Sequence, residues 1–315
     1  MNWRREIQAA GERIRGWVRE TPAMPPGREA FGLGMNLVLK LESLQVAGSF
    51  KPRGAFNRML SARLPGAGVV AASGGNHGAA VAYAARRLGV PAEIFVPEIS
   101  SPAKRVRIER EGAVLRVGGA IYVEAFAACV RRAEETGALL VHAYDQPETV
   151  AGQGTLALEW ERQSPDLDTV LVAVGGGGLI AGIAAWFEDR VRVVAVEPEE
   201  CPTLHHAIGH GSPVAVPVGG LAADSLGARE IGGIAFDIAR RHVERCVLVP
   251  ESAIVRAQAA LWNEVQVAAE PGGAVALAAL LCGAYVPGPD ERVGVLVCGG
   301  NVALDALRAA AATPA

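Results

Sequence analysis

Short apolar runs that alternate with longer helical patterns constrain the fold of this chain more than any other feature. The runs are nearly continuous in Val, Ile, Leu and Ala, which is typical of parallel strands buried on both faces of a sheet. They predict nine strands, at residues 37–42, 68–73, 92–97, 113–117, 139–143, 169–174, 191–197, 245–250 and 292–297. Helical patterns cover residues 75–88, 101–111, 122–136, 149–162 and 252–264. The alternation predicts an α/β fold in which helices cover mostly parallel strands, in one sheet or in two.

Charge and cysteine content argue against several kinds of protein. The 315-residue chain has a formal net charge of −3 and neither a basic tail nor an acidic run. We therefore expect neither nucleic acid nor a membrane surface as a partner. The five cysteines, Cys129, Cys201, Cys246, Cys282 and Cys298, include no CxxC pair, which favours a reducing, cytoplasmic location over secretion. The charged N-terminal segment lacks the apolar core of a signal peptide.

Residues 169–187 have nearly the length and the apolar character of a membrane-spanning helix. Four consecutive glycines, residues 175–178, lie in the middle of this uncharged segment. Each glycine costs about 1 kcal/mol of helix stability relative to alanine. We therefore predict a buried strand, a glycine turn and a buried helix.

Three glycine-rich turns each follow a predicted strand: SGGNHG at 73–78, GGGGLIAG at 175–182 and CGGN at 298–301. Ligands collect at the carboxyl ends of strands in open α/β sheets, so we expect these turns to form three walls of one site. In the tetraglycine turn, backbone amides and the start of the next helix predict a phosphate site. No Lys-Ser or Lys-Thr follows, which excludes a Walker loop, whereas Glu197 at a later strand end leaves a dinucleotide-binding alternative open.

Lys51, in the motif SFKPRG at 49–54, is one of only three lysines in the chain. Proline is common at the first position of a helix, so Pro52 predicts that Lys51 lies at or next to an N-cap. The positive end of the helix should lower the pKa of this amine, and a lysine with a lowered pKa suits Schiff-base chemistry. The alternative is an ordinary surface lysine, which the neighbours Phe50 and Pro52 disfavour.

The SGGNHG turn places Ser73 at a strand end and Asn76 and His77 in the first turn of a helix. Successive amides in such a turn predict a nest for an oxyanion or a carboxylate. The structural alternatives are that Ser73 is simply an N-cap and that the His77 imidazole bonds a neighbour. For Cys298, the alternative is a buried core cysteine.

Several segments together resemble the serine/threonine dehydratases, which are pyridoxal-phosphate enzymes of fold type II with a tryptophan-synthase-β-like fold. The segments occur in order between residues 37 and 304: LKLESLQVAGSFKPRGA, SGGNHGAAVAYAARRLGVPAEIFVP, GGGGLIAG, VEP, EPGGAVALAAL and CGGN. The resemblance implies two open, twisted, mostly parallel sheets covered by helices. It also implies a large cofactor-binding domain of residues 1–67 and 146–315, a small mobile domain of residues 68–145, and a homodimer.

The resemblance further implies a role for each residue of the site. Lys51 would hold pyridoxal 5'-phosphate through a Schiff base and then act as the catalytic base, which an arginine cannot do. The cofactor would also contact Phe50 at its ring, Asn76 at its ring hydroxyl, Cys298 at its pyridine nitrogen, and Gly175, Gly176, Gly177, Gly178 and Leu179 at its phosphate. The substrate carboxylate would be bound by Ser73 and by the amides of Gly75, Asn76 and His77.

The implied activity is β-elimination of L-threonine and/or L-serine to a 2-keto acid and ammonia. A neutral thiol at Cys298 leaves the pyridine nitrogen unprotonated, and this weaker electron sink suffices for elimination. The alternatives are a dehydratase for another 3-hydroxy amino acid, such as 3-hydroxyaspartate or phenylserine, a serine racemase, and a non-enzymatic nucleotide- or cofactor-binding module. Gly74 stands where racemases of the family carry a second serine, so we expect little racemisation. A positive φ at Gly74 is an alternative reason for the glycine.

The family pattern also bears on metals. Glu197 and several backbone oxygens, including that of Cys201, would hold a monovalent cation such as K⁺. Relatives with a divalent metal carry an acid six residues after this Glu, where this chain has Thr203, so we do not expect magnesium or manganese. Ser225 stands where many relatives have glycine, and the sequence offers no account of that change.

Overall fold

The computed structural model describes residues 1–312 of the chain, and these residues contain all nine predicted strands. The strands are β1 Ala23–Met24, β2 Asn36–Leu41, β3 Val69–Ala72, β4 Ala92–Val96, β5 Val114–Val117, β6 Leu139–Leu140, β7 Thr169–Ala173, β8 Arg192–Pro198, β9 Arg245–Val249 and β10 Arg292–Val297. Of these strands, only β1 was not predicted, because its two residues lie between prolines and not in an apolar run, and the strand predicted at 139–143 is shorter in the structure, at Leu139–Leu140.

Helices occupy most of the chain between the strands, and the five predicted helical stretches correspond to α3, α4, α5, α6 and α11. The helices are α1 Trp3–Ile14, α2 Lys51–Leu60, α3 Asn76–Leu88, α4 Pro102–Glu109, α5 Tyr122–Thr136, α6 Pro147–Gln163, α7 Gly178–Phe187, α8 Thr203–His210, α9 Ala223–Leu226, α10 Gly233–His242, α11 Glu251–Val265, α12 Pro271–Leu281 and α13 Leu304–Ala311. Short 3₁₀ turns cover Ala30–Gly32, Glu42–Leu44 and Val46–Gly48.

The strands of the described residues form two sheets, which confirms the predicted α/β class. The first has the order β1-β2-β10-β7-β8-β9 and is parallel except for the β1–β2 pair. The second has the order β5-β4-β3-β6 and is parallel throughout. All four of its strands come from the single stretch between Val69 and Leu140. The domain boundaries proposed from the sequence remain a prediction, and their last three residues, 313–315, lie outside the described part of the chain.

The apolar segment at 169–187 is strand β7, a glycine turn and helix α7, as predicted, and both elements are buried. Glycines interrupt the segment where it would otherwise continue as a single apolar helix. Among residues 1–312, no helix is long and apolar enough to cross a membrane.

A buried network of charged side chains fixes helix α2, whose first residue is Lys51. The Arg53 guanidinium donates to both carboxylate oxygens of Glu42, at 2.7 and 2.8 Å, and to Glu159 at 3.0 Å. The Lys40 ammonium is 2.5 Å from Glu159 on the other side. Two cations and two carboxylates therefore balance each other within the core, which is the condition for burying charge at a tolerable cost.

Candidate active site

Lys51 lies at the start of α2, directly after Phe50, which occupies the N-cap position. The chain before it is tied to the end of β10, since the Phe50 amide donates to the Cys298 carbonyl at 3.1 Å and Ser49 pairs with Gly299. The Lys51 amine is 5.0 Å from the centre of the Phe50 ring and donates to the Ala143 carbonyl at 3.0 Å. The helix start predicted from Pro52 is confirmed.

The surroundings of Lys51 favour loss of its proton. Burial lowers the pKa of this amine from 10.5 to about 8, while Cys298 and Glu270 act in the opposite direction. Desolvation penalises the charged ammonium, and no carboxylate within the described residues forms an ion pair with it. The amine is thus a usable nucleophile and base near neutral pH, as the sequence motif predicted, but the main cause is burial and not the positive end of the helix.

The tetraglycine turn packs against Tyr144. This residue directly follows Ala143, whose carbonyl accepts from the Lys51 amine. A Cβ at Gly176 would stand 2.3 Å from the Tyr144 ring, so only glycine fits there. Gly177 has a φ of +89° and is the N-cap of α7, with no side chain capping that helix. Within residues 1–312, the amides of Gly175, Gly176 and Gly177 have no hydrogen-bond acceptor. Free amides at the start of a ten-residue helix suit a phosphate.

Cys298 directly follows β10, and its carbonyl accepts from the Phe50 amide of the Lys51 motif. Its thiol is buried and donates to the Gly272 carbonyl at 3.4 Å. Burial and the nearby Glu270 raise the pKa of the thiol, so it stays uncharged at neutral pH. Cys298 is therefore a buried core cysteine, as the structural alternative proposed. Its neutral thiol is also the group that the predicted role requires.

The Asn76 turn begins α3 without a side-chain cap, since Gly75 occupies the N-cap position. Ser73 is thus not the N-cap; its hydroxyl instead accepts a hydrogen bond from the Gly75 amide at 3.1 Å. The His77 ring bonds the Val141 carbonyl at 2.9 Å, and burial lowers the pKa of this imidazole to about 3. The ring is a neutral donor to a backbone carbonyl, which is the structural alternative for His77, so the Ser73 hydroxyl and the first backbone amides of α3 are the groups that remain to meet an anion.

Asn76 is held by three side chains from separate elements. Its amide nitrogen donates to Glu270, and its oxygen accepts from Asn301 at 2.8 Å and from Arg107 at 3.0 Å. Glu270 precedes α12 and is buried, and burial raises the pKa of its carboxyl to about 7. Sequence reasoning missed both Glu270 and Arg107. The EPGG motif was a signal for the glutamate, whereas Arg107 lies in an ordinary-looking helical stretch.

Gly74 is constrained by a neighbour and not by its backbone angle. Its φ is not positive, so the suggestion that the turn needs a positive φ there is wrong. A Cβ at this position would stand 2.4 Å from the Ser100 hydroxyl oxygen. Ser100 thus occupies the space that a serine at position 74 would need.

Of the two predicted cation ligands, the Glu197 carboxylate is already engaged by protein groups, whereas at Cys201 the structure shows a bond of the thiol and not of the backbone oxygen that was predicted as the ligand. Glu197 accepts from the Leu204 and His205 amides, both at 2.8 Å, from the Thr203 hydroxyl at 3.1 Å and from the Cys246 thiol at 3.3 Å. The Thr203 hydroxyl is also 2.9 Å from the Gly175 carbonyl, and the Cys201 thiol donates to Gly219 at 3.2 Å. Glu197 thus caps α8. In the described residues, no cluster of three or more His, Cys, Asp or Glu side chains forms a metal site.

Ser225 lies on α9 against the EPGG motif. A Cβ at Gly272 would stand 2.2 Å from the Ser225 hydroxyl oxygen. The glycine therefore makes room for this serine. The neighbouring Asp224 forms an ion pair with Lys104 of α4 at 2.7 Å.

These groups fit pyridoxal phosphate. The cofactor needs an amine that can lose its proton, free amides for a phosphate and a hydrogen-bonding group for a pyridine nitrogen. Lys51, the tetraglycine turn and Cys298 supply these three, and contacts through Ala143, Tyr144 and Phe50 connect them.

Comparison with known proteins agrees with this chemistry. A family model described as pyridoxal-phosphate dependent enzyme matches residues 14–299. The L-threonine ammonia-lyase of Geobacter sulfurreducens is 40% identical over 301 residues, covering 94% of this chain and 75% of that protein. The phenylserine dehydratase of Ralstonia pickettii is 37% identical over 296 residues, covering 92% and 90%. The structure of maize serine racemase matches with a TM-score of 0.92 at 33% identity, covering 97% of this chain and 95% of that one. The chain therefore belongs to the pyridoxal-phosphate-dependent enzymes, in the group that includes the serine/threonine dehydratases.

Proposed function

We propose that the protein catalyses β-elimination of L-threonine and L-serine, releasing a 2-keto acid and ammonia. The observation that carries the proposal is the Lys51 amine, whose pKa is lowered to about 8 and which lies beside a turn of free glycine amides. The L-threonine ammonia-lyase relative, 40% identical, supports the choice of substrate.

Each element of the site has a task in this reaction. Bound pyridoxal phosphate supplies the electron sink at the substrate α-carbon. Lys51 Nζ takes the α-proton, because a base with a pKa near the working pH combines availability with strength. Ser73 and the first amides of α3 hold the substrate carboxylate, and the start of α7 holds the cofactor phosphate. Cys298 stays neutral beside the pyridine nitrogen, which limits how far charge spreads into the ring.

A dehydratase for phenylserine is the second candidate, favoured by the 37% identical phenylserine dehydratase. A racemase is disfavoured because Gly74 offers no acid on the face opposite Lys51. A purely binding module is disfavoured by Lys51, since phosphate binding alone has no use for a partly desolvated amine.

The test is keto-acid formation by purified holoenzyme from L-threonine, L-serine and phenylserine. We expect 2-oxobutanoate and pyruvate from the first two, and neither from Lys51→Ala or Lys51→Arg. The arginine variant keeps the positive charge but cannot release its proton at neutral pH, so it controls for a purely electrostatic role. Keto-acid production by Lys51→Arg at the parent rate, or none from any substrate by the parent, would overturn the proposal.

The cation, assembly and location belong to the same proposal. A K⁺ ion beside Glu197 and the backbone of Cys201 would replace some of the hydrogen bonds that now hold this carboxylate. Activity in KCl compared with tetramethylammonium chloride tests it. The working form is a homodimer, which sedimentation tests. We also propose that the protein works in the cytoplasm. We further propose that the small domain, residues 68–145, moves over the bound substrate.

A further inference from the structure

Arg107 is a cation that the proposed reaction does not use. It lies on α4, and its Nη2 atom donates to the Asn76 side-chain oxygen at 3.0 Å. Asn76 is in the turn that faces substrate and cofactor in the proposed function. Arg107 therefore reaches the site from an element that contributes none of the predicted residues.

Arg107 has no carboxylate partner in the part of the chain that the structure describes. Its helix neighbour Lys104 is paired with Asp224, and Glu111 is paired with Arg86. Glu270 lies on the far side of the Asn76 amide and is itself reluctant to ionise, since burial raises the pKa of its carboxyl to about 7. Arg107 is half-buried, and burial lowers its pKa. A partly desolvated guanidinium without a counterion is costly unless a ligand provides one.

L-Threonine and L-serine provide no such counterion. Their amino group goes to the cofactor, and their single carboxylate goes to the Ser73 turn. Arg107 approaches this turn at Asn76, and the backbone carbonyl of Asp224 approaches it at Gly75, 3.4 Å from where a Cβ of that glycine would be. A substrate that carries a second carboxylate on its β-carbon would give the guanidinium a fork-shaped acceptor, the geometry that arginine binds best.

We propose that Arg107 is a specificity-determining residue that binds the second carboxylate of an acidic 3-hydroxy amino acid of the 3-hydroxyaspartate class. This inference rests on the proposed β-elimination. The α-proton goes to Lys51, the β-hydroxyl leaves with a proton as water, and hydrolysis of the dehydrated amino acid takes up water and releases ammonia. The net reaction converts 3-hydroxyaspartate to oxaloacetate and ammonia, with no oxidant or reductant.

The experiment compares kcat/KM for 3-hydroxyaspartate and L-threonine in the parent, Arg107→Met and Arg107→Lys. Arg110→Met, an exposed arginine at the end of the same helix, is the control. We expect the parent to use 3-hydroxyaspartate at least as well as L-threonine. We expect Arg107→Met to lower the ratio of the two kcat/KM values by about 100-fold, Arg107→Lys to lower it less, and Arg110→Met to leave it unchanged.

A second measurement needs no variant. L-Aspartate has the second carboxylate but no hydroxyl to lose, so it should compete with L-threonine at least tenfold more tightly than L-alanine does, a gain within the range of one charged hydrogen-bonded pair.

Two results would overturn the inference. One is equal competition by L-aspartate and L-alanine. The other is an equal loss of both activities in Arg107→Met, which would mean that Arg107 only holds Asn76 in place. If the parent formed no keto acid from 3-hydroxyaspartate, L-threonine or L-serine, the proposed function itself would have failed.

Discussion

Lys51 and Cys298 show how burial sets the protonation states that the chemistry needs. The same desolvation lowers the pKa of the amine and raises that of the thiol, so both groups are driven towards their neutral forms. A neutral amine can attack an aldehyde and remove a proton. A neutral thiol beside a pyridine nitrogen does not stabilise the protonated, charged form of that nitrogen.

Substitution of Cys298 tests that second statement. Cys298→Ser keeps a small neutral hydrogen-bonding group, and we expect it to retain much of the elimination activity. Cys298→Asp places a carboxylate at a buried position, where it either remains an unpaired charge or stabilises the protonated form of the cofactor nitrogen, and we expect activity to fall by about 100-fold. Keto-acid assays normalised to bound cofactor measure both. Equal rates for the Asp variant and the parent would refute the role of Cys298.

Gly74 makes a prediction about stereochemistry. We expect L-serine recovered after partial turnover to contain little D-serine, because no acid at residue 74 faces the α-carbon opposite Lys51. Gly74→Ser alone should be poorly accommodated, since its Cβ would stand 2.4 Å from the Ser100 hydroxyl oxygen. The double variant Gly74→Ser/Ser100→Gly has room for the new side chain, and it should gain D-serine formation.

Chiral chromatography of the recovered serine measures this gain, and Ser100→Gly alone is the control. D-serine produced by the parent as fast as pyruvate would contradict the account.

At the level of elements, the strand ends and helix starts place the site, and these are what the sequence predicts best. The runs at 68–73, 169–174 and 292–297 predicted three strands, because continuous apolar runs are typical of strands buried on both faces of a sheet. The glycine-rich turns that follow them predicted that these strands end at one site. Lys51 and the tetraglycine turn followed from local rules about proline and glycine.

The misses share a physical cause. Ser73 as an N-cap and a positive φ at Gly74 were local arguments, and both are wrong: Gly75 is the N-cap of α3, and a distant residue, Ser100, is what constrains Gly74. Ser100 restricts Gly74 across 26 positions of sequence, and Glu270 reaches Asn76 across 194. Neither separation leaves a periodic signal in a single sequence.

The buried charges behind α2 give a prediction for that element. Arg53→Met removes the partner of Glu42 and one partner of Glu159, leaving carboxylates in a dry core. We expect the free energy of unfolding to fall by about 3–5 kcal/mol. Arg58→Met on the same helix removes a partly exposed ion pair and should cost under about 1 kcal/mol. Chemical denaturation of the apoprotein measures both, and similar losses for the two variants would show that the network does not hold α2.

For the molecule as a whole, the Asn76–Glu270 hydrogen bond links the helices that belong to the two sheets. Asn76 begins α3, which follows β3 of the four-stranded sheet, whereas Glu270 is the N-cap of α12, which packs on the six-stranded sheet. Glu270 is thus a titratable group at the junction between the sheets. Burial raises the pKa of its carboxyl from 4.5 to about 7, so the folded chain binds more protons here than the unfolded chain does between these two pH values.

The stability contribution of Glu270 is therefore present below pH 4.5 and is lost as pH rises through about 7. The gap between the two pKa values corresponds to about 3 kcal/mol. We expect Glu270→Gln, which still accepts from Asn76, to gain stability relative to the parent by up to this amount between pH 5 and pH 8. Denaturant melts of both apoproteins at a series of pH values measure the difference. A parent and variant whose stabilities run parallel across that range would contradict the assignment.

The central claim is that the cofactor is bound covalently to Lys51, and peptide mapping after borohydride reduction tests it most directly. Cleavage after Lys40 and Arg53 releases residues 41–53, in which Lys51 is the only lysine and is protected from trypsin by Pro52. The account predicts that reduction abolishes the visible absorbance and fixes the phosphopyridoxyl mass on this peptide alone. The same mass on a peptide that contains Lys40 or Lys104, or on none, would contradict it.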